Sequence, residues 1–518
     1  MHWADVVAKR LRESGNVHRI ATGITPSGHI HVGNMREILT GDMVQKAALD
    51  SGLDAVLYYL ADDFDPLRKV YPFLPGSFSE HVGKPLSEIP APEGSGTYSE
   101  YYLGPFLDSV RKLGIEPVVF RSSESYREGR YAEAVSILLD KRDMVKEILT
   151  RISRRDLPDE WIPYNARCGS CGRIDSTRSL SWESPFVSYS CRCGHQGKAD
   201  TRTDDGKLPW RLDWPARWYW LGVTCEPFGK DHAASGGSYD TSSAIIREVL
   251  GSEPPIPVIY EWIQLKGKGA MSSSSGVVVS AVDMLKMAPP EVLRFLIARN
   301  QPNKHINMDP GLGILNLVDD YDRHEMEFWK AGGGGSDPED NLRIYQLSST
   351  EKEIYMPENL IQIPYRHLVT LVQLVEDLDS LLEKIRRTEG IDDFDEHTLR
   401  HIVERSDCVR YWLDKYAPEG VKFTLYDLPP REEIEKLGSP EIEALKAMRE
   451  EFSTIDWNPE AIHNAVYDGS RTRGIEPKTT FTALYRILMG SERGPRLGFF
   501  LSTMLREDVI RMIDHALS

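Results

Sequence analysis

Apolar positions in the first half of the chain fall into two alternating spacings. Short runs dense in apolar and β-branched residues at 17–24, 55–61, 117–120 and 257–262 read as strands. Between them apolar residues recur every three to four positions, as Met35, Ile38, Leu39, Met43 and Val44 do within 35–49, and helical patterns also cover 131–152 and 241–250. Such alternation predicts an α/β core, a parallel sheet joined by crossover helices. In open sheets of this kind the ligand crevice lies beyond the carboxyl ends of the strands, which is where the first strand-to-helix turn carries residues 25–34. The segment from Cys168 to Cys193 interrupts the alternation and reads as an insertion. After Met287 the pair Pro289-Pro290 opens a helix over 291–299, and the later long patterns, including 364–382 and 508–517, are helical, so the C-terminal half is expected to be mostly α. The Gly-rich stretch 331–338 is the clearest flexible break.

Composition narrows this picture. A chain of 518 residues exceeds one ordinary core, so roughly two to four structural units are expected. Hydrophobic residues at 41% and charged residues at 27% are ordinary for a soluble protein. No apolar run is long enough to span a membrane, and Met1-His2-Trp3-Ala4-Asp5 begins an amphipathic pattern in place of a signal region, so a cytoplasmic protein is expected. The formal charge of −17 argues against broad attraction to nucleic acid, because the mean field repels phosphate. Binding RNA would need local basic surface. Residues 141–155, where Lys141, Arg142, Lys146, Arg151, Arg154 and Arg155 interleave with apolar positions, offer one such surface or an ordinary solvated helix face.

Chemistry concentrates in three places. The turn Thr25-Pro26-Ser27-Gly28-His29-Ile30-His31-Val32-Gly33-Asn34 joins a strand to a helix. Gly28 and Gly33 let polyphosphate approach bare backbone, the helix start supplies free N–H groups, and His31 and Asn34 add side-chain donors. Roughly halfway along lies Ala270-Met271-Ser272-Ser273-Ser274, and the two segments together suggest a split ATP site. Third, Cys168-Gly-Ser-Cys171 and Cys191-Arg-Cys193 pair four thiols beside Gly169, Gly172 and Gly194. That pattern matches a tetrahedral zinc ribbon, with His195 as a substitute ligand or four reduced thiols as the alternatives. Cys225 and Cys408 stand apart and read as buried apolar residues.

His31-Val32-Gly33-Asn34 resembles the "HIGH" signature of class I aminoacyl-tRNA synthetases, and Met271–Ser274 resembles their "KMSKS" loop. Ala21-Thr22-Gly23-Ile24-Thr25-Pro26-Ser27-Gly28, Asp213-Trp214-Pro215-Ala216-Arg217-Trp218 and Glu226-Pro227-Phe228-Gly229-Lys230-Asp231-His232 resemble class I lysyl-tRNA synthetases, the form typical of archaea and some bacteria. The resemblance implies a Rossmann-type catalytic domain over 1–288, with the zinc-ribbon-like insertion at about 155–205. A helical connector over 289–345 and an α-helical cage for the anticodon over 346–518 would follow. Tyr485–Gly490 with Arg493-Gly494-Pro495-Arg496-Leu497 resembles the tail shared with glutamyl-tRNA synthetases, although a surface turn would explain Gly494-Pro495 equally well. The implied reaction joins L-lysine to tRNA(Lys) through lysyl-adenylate, with ATP as its Mg2+ complex, one structural Zn2+, and other translation factors as further partners.

The same resemblance assigns roles. His31 and Asn34 would face the charge growing on the phosphate, with Lys266 or Lys268 as a cation beside the leaving group. Pro26, Gly28, His29, His31, Gly33, Asn34, Met271, Ser272, Ser273 and Ser274 would line the ATP, His29 having a packing or capping role as its alternative. The second signature departs from the family: Ala270 stands at its first lysine position and Ser273 at its second. Either a lysine shifted into Lys266-Gly267-Lys268-Gly269 serves, or Ser272, Ser273 and neighbouring backbone N–H groups act alone. Gly23, Thr25, Trp210 and His232 are implied in the lysine pocket. One of Asp62, Asp63 and Asp65, with Asp62 first, would take the ε-ammonium, unless the three form a solvated strand-end turn. Residues 92–102 lack the Cys and His of a second metal site found in some relatives, so that site is expected to be absent. Two rivals remain: a glutamyl-type synthetase, which would need basic residues around its substrate, and an RNA-binding paralogue that lost activation, for which Ala270 speaks.

Overall fold

The computed structural model describes residues 1–154, 156–267, 269–270, 279–332, 340–358, 360–391 and 393–518. The chain forms two compact units, one of Met1–Leu285, Pro290–Met308 and His324–Met356, the other of Lys286–Pro289, Asp309–Arg323 and Pro357–Ser518. Residues 333–338 of the Gly-rich stretch, like Arg155, fall outside the described residues.

The first unit is built on five parallel strands: β1 (Val17–Ile24), β2 (Asp54–Ala61), β3 (Val118–Arg121), β4 (Cys225–Gly229) and β5 (Ile256–Tyr260), arranged β5-β4-β1-β2-β3. The order reverses between β1 and β4, the switch point at which α/β sheets bind ligands. Register fixes the rim: Ile24 lies opposite Ala61, Ala61 opposite Arg121, and Gly229 opposite Tyr260, so the residues that follow them emerge on one edge. All four expected strands are present. The helix Val32–Asp50 crosses from β1 to β2 and buries Met35, Ile38, Leu39, Met43 and Val44 completely. Each such side chain contributes about 1.5–3 kcal/mol of burial.

Two expected helices are broken. The pattern over 131–152 divides into Ala132–Asp140 and Arg142–Ser153, with Lys141 leaving helical geometry at ψ 27°. The pattern over 364–382 divides into Tyr365–Leu371 and Leu378–Glu389, because the Asp377 carboxylate accepts from Ser380 N–H at 2.8 Å and caps a new helix there. Pro215 lies inside the helix Trp210–Leu221 and cannot donate to the Arg211 carbonyl four residues back; the Ser242 hydroxyl donates to that carbonyl instead, at 3.4 Å.

Between the first strands and Trp210 the insertion forms small antiparallel sheets, one of Thr177–Glu183, Phe186–Cys191 and Gln196–Asp200, another of Asn165–Ala166 with Gly206–Lys207. In the basic helix Arg142–Ser153 and its flank, Lys141 donates to Val249 O, Lys146 pairs with Asp159 and Arg151 with Glu248. Three of its cations are thus partnered within the protein, while Arg155 lies outside the described residues. The second unit is mostly helical and packs Leu445, Phe452, Val466, Leu484, Leu488, Phe500 and Ile513 into its own core. Within it the Tyr485 hydroxyl donates to Pro495 O, so the tail motif closes a turn. Among the described residues no helix is long and apolar enough to cross a membrane.

Candidate active site and metal centre

At the rim of the sheet a cavity of about 950 Å³ is lined by residues from every strand end around the switch point. Gly23, Thr25, His31, Gly33, Asn34, Asp62, Trp210 and His232, all expected at the site, line it together. Pro26, Gly28 and His29 do not. His29 is exposed and packs edge-on against Tyr102 at 5.1 Å, which is its packing alternative. Lys266 is exposed just after the short strand Ile263–Leu265 and does not line the cavity, while Lys268, Met271, Ser272, Ser273 and Ser274 lie outside the described residues.

His31 is the N-cap of the helix Val32–Asp50, whose first turn brings Gly33, Asn34 and the positive end of the helix dipole to the cavity. Asn34 Oδ1 accepts from His31 N–H at 3.3 Å, which fixes the turn and leaves the amide N–H2 as a donor. Burial holds the His31 ring down to about 4, so the imidazole is neutral near pH 7. Its Nδ1 is buried with no hydrogen-bond partner among the described residues. A buried polar atom of that kind costs about 1–3 kcal/mol unless a ligand satisfies it. The chain on either side of 271–278 is anchored here. Ser280 bridges His31, Val32 N–H donates to Val279 O at 3.0 Å, and Ala270 pairs through its main chain with Gln264.

The acidic cluster after β2 is placed differently from its expected role. Asp62 accepts from Arg217 and from the Ser122 hydroxyl, Asp63 accepts from Ser123 N–H and Oγ, and Asp65 accepts from Lys207 at 2.6 Å and from Thr25 at 3.0 Å. All three are paired within the protein, so neither a free acid nor a solvated turn describes them. Arg217 is fully buried and also donates to Asp213 at 3.1 Å; a Cβ on Gly23 would sit 3.0 Å from its Nη1 and 3.1 Å from Leu60 O, so a side chain there would press on both.

Glu37 was not anticipated. Its carboxyl lines the cavity from the second turn of the helix, accepting from Gly23 N–H at 2.7 Å and from the Tyr260 hydroxyl at 2.7 Å. Both partners are neutral. Burial pushes the Glu37 carboxyl up to about 8, helped by the negative charges of Glu226 and Asp62 and opposed by the two hydrogen bonds. Helical spacing carried a signal for it: Glu37 is three and four residues beyond Asn34 and Gly33, on one face of one helix. Arg217, Lys207 and Tyr260 carried none, since their roles come from long-range contacts.

The metal centre fits its expected ligands. Sγ of Cys168, Cys171, Cys191 and Cys193 lie within 4.8 Å of one another, with Cys168–Cys193 and Cys171–Cys191 both at 3.6 Å. Tetrahedral Zn–S bonds of about 2.3 Å require sulfurs about 3.8 Å apart. His195 is not needed as a ligand. Elemental analysis of purified protein is expected to give one zinc per chain and Cys171→Ser to lose most of it; full retention by the variant would count against the four-thiolate site.

A family model described as tRNA synthetases class I (K) matches residues 1–351. Over the full chain the sequence is similar to a lysine–tRNA ligase of Picrophilus torridus, at 46% identity covering 100% of this chain and 99% of that one. Relatives of the same name occur in Archaeoglobus fulgidus, at 44% identity and 100% of both chains, and in Thermoplasma volcanium, at 43% identity, 100% of this chain and 99% of that one.

Proposed function

The chain belongs to the class I lysyl-tRNA synthetases and is a lysine–tRNA ligase; from that premise we propose that the cavity at the switch point binds lysine and the ATP phosphates side by side. The observation that carries this reading is the pairing of two groups in one cavity: the His31 Nδ1, without a hydrogen-bond partner among the described residues, at a helix N-terminus, and the buried Glu37 carboxyl, whose hydrogen-bond partners among the described residues are both neutral.

Activation requires the lysine carboxylate to attack the α-phosphate while pyrophosphate leaves, so negative charge grows on phosphate oxygens. A neutral His31 donates to that charge without carrying a proton of uncertain fate, and the positive end of the helix dipole with the Asn34 amide adds fixed dipoles. Glu37, ionised when it meets an ammonium, receives the lysine ε-group. Trp210 and His232 line the same cavity and wall the four-carbon stem, with Gly23 at its edge. Asp62 is reassigned: paired to Arg217, it shapes the pocket floor and does not meet the ligand. Magnesium would accompany ATP and neutralise its phosphates, while zinc at the four cysteines would hold the insertion. We also propose that Pro26, Gly28 and Lys266 support ATP binding, that residues 346–518 contain the anticodon-binding domain, and that the protein works in the cytoplasm with tRNA(Lys) and other translation factors. Arg68 and Lys207 also line the cavity, and Lys207 is taken up by Asp65; what supports lysine over a glutamyl-type substrate is the Glu37 carboxyl, hydrogen-bonded by two neutral groups.

ATP–pyrophosphate exchange with each of the twenty amino acids, with and without tRNA, tests the reading. Lysine alone is expected to drive exchange, and its absence in the presence of tRNA would overturn the pocket assignment. His31→Ala is expected to lower the exchange kcat roughly 100- to 1,000-fold, as loss of one preorganised donor does, with lysine KM within about threefold. A kcat unchanged by that substitution would remove His31 from the chemistry.

A further inference from the structure

Behind the cavity lies a carboxyl group that does not line it. Glu226, on β4, is buried; its Oε1 accepts from Trp214 Nε1 at 2.8 Å and its Oε2 accepts from Trp218 Nε1. The two tryptophans stand one turn apart on the helix Trp210–Leu221, so both indole N–H groups reach the same strand position. A carboxyl offers two acceptor oxygens to two donors. An apolar side chain would leave both N–H groups unpaired, and Gln would turn its own N–H2 on one of them. Burial pushes the Glu226 carboxyl up to about 7, against the pull of Trp214, Arg217 and Trp218.

The consequence reaches the cavity through Trp214. On its ring Trp210 stacks at 5.2 Å with an interplanar angle of 18°, and His232 packs at 5.5 Å. Trp210 and His232 also touch each other at 5.8 Å, and the Arg217 guanidinium lies 5.6 Å from the Trp210 ring. Phe228, two residues beyond Glu226 on the same strand, meets Trp214 edge-on at 5.3 Å. Every ring of that wall therefore rests on one indole, which is buried against Trp218 at 4.8 Å and whose N–H is held by one carboxyl oxygen.

We infer that Glu226 is a positioning residue for amino-acid selection: by clamping Trp214 it holds Trp210 and His232 at the separation that receives the lysine stem. The inference rests on the reading of the cavity as the lysine site. Glu226 touches neither substrate nor reacting atoms. Its effect should therefore fall on lysine and leave ATP alone, because the His31 turn belongs to a different element.

The test uses full-length protein in ATP–pyrophosphate exchange. Glu226→Gln is expected to raise lysine KM at least about tenfold while ATP KM and kcat change less than about threefold. Trp214→Phe keeps a ring but loses the clamped N–H, and is expected to match it; Trp218→Phe, which leaves the Glu226–Trp214 bond in place, should change lysine KM less than about threefold. The double variant Glu226→Gln/Trp214→Phe should be no worse than either single change, since both break one link. Lysine KM unchanged in Glu226→Gln, or lysine and ATP KM rising together, would overturn the inference and mark Glu226 as a general core residue. Should Glu226→Gln fail to fold, Trp214→Phe against Trp218→Phe decides in the same way: equal lysine KM values would overturn it. A wild-type protein without lysine-dependent exchange would instead overturn the cavity reading itself.

Discussion

Glu37→Gln is expected to lower kcat/KM for lysine in ATP–pyrophosphate exchange roughly 100- to 1,000-fold. The substitution keeps shape and one acceptor oxygen, but leaves the incoming ammonium in a buried site without a counter-charge, a loss of about 3–4 kcal/mol. ATP KM should hardly move. The sign of the pH dependence follows from the Glu37 carboxyl, which burial raises to about 8 in the free protein. Below that pH the group is mostly protonated and must lose its proton to receive the ammonium, which itself stays charged to about pH 10. Log kcat/KM for lysine should therefore rise with pH at a slope near one until about pH 8 and then level. Lysine binding at pH 7 should release close to one proton, readable by calorimetry in two buffers of different ionisation enthalpy. In Glu37→Gln both the rising limb and the proton release should vanish. Retention of either in the variant would assign them to another group, such as the Glu226 carboxyl at about 7, and remove Glu37 from ammonium recognition.

Arg217→Met should be the most destabilising single substitution at this site. The guanidinium is 1% exposed and is shared between Asp62 and Asp213, which are themselves buried. Met restores volume but not charge, so two carboxyl groups lose their cation in the interior. The expected cost is about 3–5 kcal/mol, seen as a lower urea midpoint with little change in slope. Because the loss comes from an uncompensated carboxylate, adding Asp62→Asn to Arg217→Met should recover part of it. A midpoint within experimental scatter of wild type would show that the network is solvated and that its burial overstates its strength.

Much of the architecture could be read along the chain because it is written in local spacing. The 55–61 run and the periodic Met35, Ile38 and Leu39 specify a strand and a helix within a few residues of themselves, and the order of such elements specifies the parallel sheet. The four cysteines were legible for the same reason: two short loops bring thiols together whatever surrounds them. Less visible were the helix breaks. At Lys141 and at residues 372–377 the apolar period continues while the chain turns, because a cap or a packing demand outweighs periodicity there.

What the sequence by itself determined is the class of machine: the strand and helix order, the four clustered cysteines, the strand-to-helix turn at His31, and the family. Only the tertiary structure decided which partners each acid has. Asp62 stands beside the expected pocket in sequence, yet its partner Arg217 lies 155 positions away. Glu37, inconspicuous in a helix, reaches the cavity with only neutral partners, one of them Tyr260, 223 positions distant. Backbone preference acts over a turn or two and leaves its mark in neighbouring residues. The charge state and availability of a carboxyl depend on who shares its burial, and that company is assembled only when distant strands close around it.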